Sequence, residues 1–269
     1  MERDGQPPAV IDPSTPSVAR MYDYYLGGKD NFPADRAAAE KIIELVPSIT
    51  RIARDNRDFL IRVVRVLAAA GVRQFIDIGA GLPTRQNVHE VALEAAPDSR
   101  IVYVDNDPIV LVHARALLAE TPRTIVVRAD LRDPASILED PWVRAHIDFS
   151  RPVAVLLFAI LHFVPGDQEA AEIVARLHAP LVSGSHLALS HSYAGDLTGE
   201  TIRNGRSVYR SATPGSITPR TTEQVGALFT GLDVLEPGVV PIDAWRPSRP
   251  GVAADFDKPG LLGAVARLP

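Results

Sequence analysis

Four short stretches of this sequence carry residues that could do chemistry, and each follows a short apolar run. They are Asp77-Ile78-Gly79-Ala80-Gly81, Asp105-Asn106-Asp107, Asp130-Leu131 and Phe158-Ala159-Ile160-Leu161-His162. Glycine has no Cβ, so Gly79 and Gly81 let another molecule lie against bare backbone. The carboxylate of Asp105 has two oxygens and can accept both hydroxyls of a ribose, in charged hydrogen bonds worth about 1.5–3 kcal/mol each. Asp130 can accept from an adenine amino group while the next backbone N–H reaches a ring nitrogen. His162 titrates near neutrality and is the best-placed general base, with His191 and Tyr22 behind it. Each feature alone has a plain structural explanation: a G-x-G turn, a solvated acid, a packed histidine. Four of them in sequence order at the ends of apolar runs point to one site.

The runs themselves predict strands at Gln74–Ile78, Arg100–Val104, Thr124–Arg128, Val153–Phe158 and His186–Ser190. Periodic segments at Arg85–Ala95, Pro108–Ala119, Pro134–Glu139 and Asp167–His178 predict helices between them. Alternation of this kind implies a parallel sheet with helices on both faces. In such a fold nucleotide-like ligands sit beyond the carboxyl ends of the strands, where the four stretches fall. Residues 195–220 break the rhythm with a polar segment and a possible helix in its middle. Thr221–Phe229 predicts a helix, and Leu232–Leu235 and Leu262–Leu268 predict closing strands.

Upstream of the sheet, residues 1–16 hold four prolines and predict a disordered tail. Residues 17–70 predict a helical cap or lid, and residues 71–269 the core domain. The cap opens with VARMYDYYLGGKDNF, in which Arg20, Tyr22, Asp23, Lys29, Asp30 and Asn31 crowd around the Gly27-Gly28 pair like the wall of a ligand site. Helices follow at Ala34–Val46 and from a Ser48 cap to about Ala70. Ile49, Ile52, Ala53, Phe59, Leu60, Val63, Val64 and Leu67 give the second one a buried face.

Composition narrows the function classes. Apolar residues make up 46% of the 269, as in a globular protein, and the net charge is −5. That charge argues against broad affinity for nucleic acid or anionic membrane. The chain has no cysteine, which removes disulfides, thiolate metal sites and a cysteine nucleophile. His186 and His191 have no nearby run of acids to complete a metal site. No 18-residue apolar run and no signal-peptide apolar region appear, so a soluble, cytoplasmic protein is expected.

The cofactor follows from the turn. A dinucleotide fingerprint needs a third glycine at position 84, where Thr84 stands after Pro83. No G-K-[ST] follows, so the turn is not a P-loop. S-adenosylmethionine has a ribose and an adenine but no pyrophosphate, and needs only the close glycine approach and the acids. An NAD-dependent oxidoreductase is the competing class.

The stretches ARMYDYYLGGKDNF, QFIDIGAGLPT, NVHEVA, VYVDNDP, ADLRDP, LHF, GSHLALSH and LEPGVV carry a resemblance that spans the chain from about Pro16. The sequence resembles the actinobacterial S-adenosylmethionine-dependent methyltransferase family catalogued as domain of unknown function 574. The resemblance implies a seven-stranded, Rossmann-like class I methyltransferase sheet in the order 3-2-1-4-5-7-6, with the last strand antiparallel. It also implies a cofactor seat at Gly79, Ala80, Gly81, Asp105, Asn106, Asp130 and Leu131. Met21, Tyr22 and Asn31 from the cap, Asp77 and Thr84 from the first turn, and Phe158 and Ala159 after strand four are expected beside them. Tyr25 departs from the aliphatic residue expected before the glycine pair. The expected acceptor is a small molecule methylated on oxygen or nitrogen, which the resemblance does not name. The alternative is an S-adenosylmethionine-binding sensor or partner-binding module without turnover.

Overall fold

Buried, β-branched runs build the sheet. A computed structural model describes residues 12–83, 86–118, 121–213 and 215–269. Its strands are β1 (Gln74–Ile78), β2 (Arg100–Asp105), β3 (Thr124–Arg128), β4 (Ala154–Phe158), β5 (His186–Tyr193), β6 (Asp233–Val234), β7 (Val240–Pro241) and β8 (Gly260–Arg267). They lie in the order β3-β2-β1-β4-β5-β8-β6, with β7 pairing β8 beside that path. β1 to β5 are parallel and β8 runs antiparallel to β5. Setting aside the two-residue β7, this is the class I methyltransferase order that the resemblance implies. The register puts Ile78 beside Val104, Asp105 beside Arg128 and Phe158 beside Ser190. The polar residues that follow these strands therefore collect at one edge of the sheet.

The helices are α1 (Val18–Tyr25), α2 (Pro33–Leu45), α3 (Ile49–Ala69), α4 (Val88–Ala95), α5 (Pro108–Leu118), α6 (Pro134–Leu138), α7 (Pro141–His146), α8 (Asp167–His178), α9 (Gly199–Arg210) and α10 (Thr222–Ala227). A short 3-10 turn covers Leu161–Phe163. One sheet face packs Ile76, Val102, Val155 and Leu187 against α6, α7, α8 and α10. The other packs Phe75, Leu156 and Val265 against α3 and α4. Of the face predicted for α3, Ile52, Phe59, Leu60, Val63, Val64 and Leu67 pack on the sheet, whereas Ala53 and the half-buried Ile49 pack with α1 and α2, so α3 bridges the two. Ser48 does not cap α3 through its side chain; its own backbone is already helical. Among the described residues no helix is long and apolar enough to cross a membrane.

The cap proper is α1 and α2, packed with α9 through Met21, Tyr25, Ala39, Ile42 and Tyr209. A buried latch joins its two helices. The Nε of Arg20 donates to Asp35 Oδ2 at 2.7 Å, with both side chains almost wholly buried. Asp35 also accepts from the backbone N–H groups of Ser17 (2.8 Å) and Phe32 (2.7 Å). Removing one partner of a buried ion pair strands the other, at a cost of about 3–5 kcal/mol. Asp35→Ala is accordingly expected to lower the urea midpoint by that equivalent. A midpoint equal to the parent's would show that the latch does not hold the cap.

Candidate active site

The first turn sets the floor of the site. Gly79 (φ +76°) and Gly81 (φ +66°) both adopt the left-handed backbone that suits glycine. A Cβ on Gly79 would meet Ile160 Cγ1 at 2.6 Å, whereas one on Gly81 would enter open space. Gly79 thus lets Ile160 close over the turn, and Gly81 leaves a bare stretch of chain facing the cavity. The N–H of Gly79 and of Ala80 both donate to the Val104 carbonyl, at 2.8 and 3.3 Å, which ties the turn to the end of β2.

Above that floor lies a cavity of about 540 Å³ at the carboxyl ends of β1 to β4. Asp105 is buried in its wall and holds the turn in place. Its Oδ2 accepts from Gly81 N–H and its Oδ1 from Asp107 N–H, each at 2.9 Å. Burial pushes its carboxyl up to about 6, against the pull of these two N–H groups. On the half-buried Asp130, Oδ1 accepts from Arg132 N–H at 2.9 Å and Oδ2 from Asn106 Nδ2 at 3.1 Å.

Two residues of opposite charge, Asp77 and Arg57, also line the cavity. Asp77 is 4% exposed and accepts no hydrogen bond from a described residue. Burial pushes it up to about 7; Arg57 pulls the other way and Asp105 adds to the rise. Arg57 lines the cavity from α3, and its buried Nε has no hydrogen-bond partner. Next to it, Asn56 belongs to a chain of side-chain bonds. Its Nδ2 donates to Tyr22 Oη at 3.0 Å, and its Oδ1 accepts from Ser190 Oγ at 2.6 Å. Ser190 Oγ in turn accepts from the Ala159 N–H at 2.9 Å. Ala159 sits at φ +52°, a strained value for a residue with a Cβ, and this bond helps to hold it there.

Asp12–Pro16, within the stretch predicted as a disordered tail, carry defined contacts at the cavity mouth. The Oγ of Ser14 and of Thr15 each donates to Asp12 at 2.6 Å, and the Thr15 carbonyl accepts from Arg20 Nη2 at 2.6 Å. Ser17 Oγ donates to Asp107 Oδ2 at 2.6 Å, and Val18 N–H donates to the Thr213 carbonyl at 2.9 Å.

A second cavity, of about 130 Å³, adjoins the first. Val18, Tyr22, Ala159 and Phe163 line both. His162 belongs to the wall of this second cavity and not to that of the first. Its Nδ1 accepts from Ser192 N–H at 3.2 Å. Burial, with His191 and Arg220 nearby, keeps its ring well below its ordinary titration range. The neutral ring therefore carries its proton on Nε2 and offers no spare lone pair. In His191, Nδ1 donates to the Ser192 carbonyl at 3.0 Å and Nε2 accepts from Arg220 Nη1 at 2.7 Å, because guanidinium can only donate. Both of its nitrogens are engaged, and burial lowers its pKa to about 4. Tyr22 Oη donates to the Ala53 carbonyl at 3.0 Å besides accepting from Asn56.

Comparison with known proteins now decides the family. A family model described as S-adenosyl methyltransferase matches residues 4–269. The chain belongs to this family. A solved protein from Streptomyces avermitilis, described as a member of domain of unknown function 574, is 43% identical to it. That match covers 97% of this chain and 100% of the other, with a TM-score of 0.88. A protein from Thermobifida fusca described as a candidate methyltransferase is 41% identical, over 97% of this chain and 98% of the other, with a TM-score of 0.89. The N-methyltransferase NodS from Bradyrhizobium japonicum, in complex with S-adenosylhomocysteine, is 14% identical over 93% of this chain and 99% of its own. Its TM-score of 0.50 speaks for the fold alone. A search of curated proteins found no match.

Of the residues expected at the S-adenosyl methyltransferase site, Tyr22, Asp77, Gly79, Ala80, Gly81, Asp105, Asn106, Asp130, Leu131, Phe158 and Ala159 line the first cavity. Met21 does not: it is fully buried between the cap helices. Asn31 is also elsewhere, its Nδ2 donating to Asp23 Oδ2 at 2.8 Å and to the Gly28 carbonyl at 3.1 Å. Thr84 lies outside the described residues. Asn56 and Arg57 were not expected. Asn56 is a polar residue on the apolar face of α3, between Ile52-Ala53 and Phe59-Leu60, and that mismatch is the signal that marks it.

Proposed function

We propose that this methyltransferase binds S-adenosylmethionine in the first cavity and passes its methyl group to a small-molecule oxygen or nitrogen acceptor. The carrying observation is the pair of buried, oppositely charged groups beside the glycine turn, Asp77 and Arg57 Nε, for which no described residue supplies a hydrogen-bond partner. An amino-acid zwitterion supplies both missing partners: its ammonium suits Asp77 and its carboxylate suits Arg57. Asp105 keeps spare lone pairs for the ribose hydroxyls, and Asp130 with Leu131 stands where an adenine edge can be met. Bound there, the cofactor supplies a methyl already activated on a sulfonium. The chain's own part is to hold the donor, orient the acceptor and exclude water.

His162 enters this proposal as a hydrogen-bond donor through Nε2–H rather than as the general base its position suggests. Both nitrogens of His191 are engaged, and the Tyr22 hydroxyl already donates to Ala53 and accepts from Asn56, so neither stands ready to replace it. That lack of a base favours a second possibility, a sensor that binds the cofactor without turnover. Calorimetric titration with S-adenosylmethionine and S-adenosylhomocysteine tests the shared premise. Saturable heat in the micromolar range, about −8 kcal/mol in free energy, is expected. No heat from either at high micromolar concentration would sink both. Methyl release onto an acceptor pool then separates enzyme from sensor.

A further inference from the structure

The second cavity carries a statement about the acceptor. Its walls are Tyr22, Tyr25, Phe163, Tyr193 and Tyr209 with aliphatic side chains between them, and the hydroxyls of Ser192 and Thr201 also line it. At about 130 Å³ it compares with an engineered apolar cavity of roughly 150 Å³ that takes up benzene. It therefore has room for a single aromatic ring. Its polar groups are few. Tyr22 Oη is saturated by Asn56 and Ala53. The Tyr25 and Tyr209 hydroxyls face each other at 3.5 Å. His162 is left with Nε2–H, a donor with no partner among the described residues. Arg206 donates through Nε to the Ile217 carbonyl at 3.3 Å and forms no ion pair with a described residue. Among the described residues no Asp or Glu lines the cavity.

An ammonium group placed there would be desolvated beside a guanidinium with no carboxylate to answer it. An oxygen suits the site: it accepts from His162 Nε2–H, and the guanidinium favours its ionised form. We propose that the second cavity is the acceptor site and that its occupant is a one-ring phenol. This inference rests on the methyltransferase assignment of the first cavity, with which it shares Val18, Tyr22, Ala159 and Phe163. In the transfer, a lone pair on the phenol oxygen forms the bond to the methyl carbon. The carbon–sulfur bond of the sulfonium donor breaks with its pair left on sulfur, and the phenol proton passes to solvent water.

The experiment loads the full chain with S-adenosylhomocysteine and follows p-cresol, benzylamine and toluene by ligand-observed NMR titration. Saturable p-cresol binding, at least about tenfold tighter than benzylamine, is expected from the cost of burying an unpaired ammonium. Gly205 lines the cavity from α9, and a Cβ there meets nothing within 4 Å. Gly205→Leu fills the space with a better helix former and is expected to weaken p-cresol about tenfold or more while S-adenosylhomocysteine still binds. His162→Phe is expected to bring p-cresol to the level of toluene. Benzylamine binding as tightly as p-cresol, p-cresol binding untouched by Gly205→Leu, or no ring binding to the loaded protein each overturns the acceptor proposal and leaves the cofactor assignment standing. Failure of S-adenosylhomocysteine itself to bind overturns both.

Discussion

Replacing Asp105 with alanine is expected to weaken S-adenosylhomocysteine binding by about a hundredfold or more at pH 8. Each carboxylate oxygen already accepts one backbone N–H, from Gly81 and from Asp107. A carboxylate has about four lone-pair sites, so two remain for hydroxyls. Losing two charged hydrogen bonds at about 1.5–3 kcal/mol each removes at least two decades of affinity. Alanine also releases the Gly81 N–H, so the turn loses its anchor along with the ligand. Asp105→Asn separates the two effects. It keeps one accepting oxygen of the same shape and should fall between parent and alanine. Calorimetry on the three proteins checks the order; an alanine variant within threefold of the parent would take Asp105 out of the site.

Asp77→Asn should act on stability and on binding with opposite signs. The folded-state pKa of Asp77 is raised to about 7, mainly by burial, from 3.8. Between those values the folded protein holds a proton that the unfolded chain has lost. The ligand-free protein therefore loses stability as pH rises through that window, and above pH 7 it carries the penalty of a buried charge that Arg57 only partly offsets. Asp105, raised to about 6, contributes with the same sign. Asparagine removes the charge, and the ligand-free variant should be about 1–3 kcal/mol more stable than the parent at pH 8, with little gain at pH 4. Cofactor affinity should fall by about thirtyfold or more, because the ammonium loses its charged partner. In the parent, affinity should rise with pH through about 7. Urea unfolding at pH 4 and pH 8, with and without S-adenosylhomocysteine, reads both effects. A variant that is no more stable without ligand, or one that binds as the parent does, would refute the zwitterion pairing.

How much was legible depended on how regular the burial was. β1 to β4 could be placed to within a residue because strands buried on both faces are continuous apolar runs, whereas β5 runs on past the expected Ser190 to Tyr193, where the run turns polar. The strand ends then located the glycine turn and the acids. α9 was blurred because GETIRNGRSVYR buries only Tyr209 along its length, so no stripe stands out. α7 and β7 are too short to show a period. Arg57 was missed because it sits amid other charges on α3 and acts through a buried Nε that only tertiary packing reveals. The setting of His162 was hidden in sequence for a similar reason. Its tautomer is set by the Ser192 N–H, a neighbour on β5.

The bonds that close the cavity mouth have a bearing on how the chain is made. Ser17 reaches Asp107, 90 residues on, and Val18 reaches Thr213, so this part of the rim is secured by residues made much later. Contacts of such long separation carry the greatest loop-closure cost and form late. On the ribosome this segment can meet Asp35 early, yet its bond to Thr213 must wait until that residue has cleared the exit and the intervening sheet has assembled. The rim of the ligand site is thus completed only once Thr213 is available, and a chain stalled before it would display a sheet edge with its acids in place but an open rim around them.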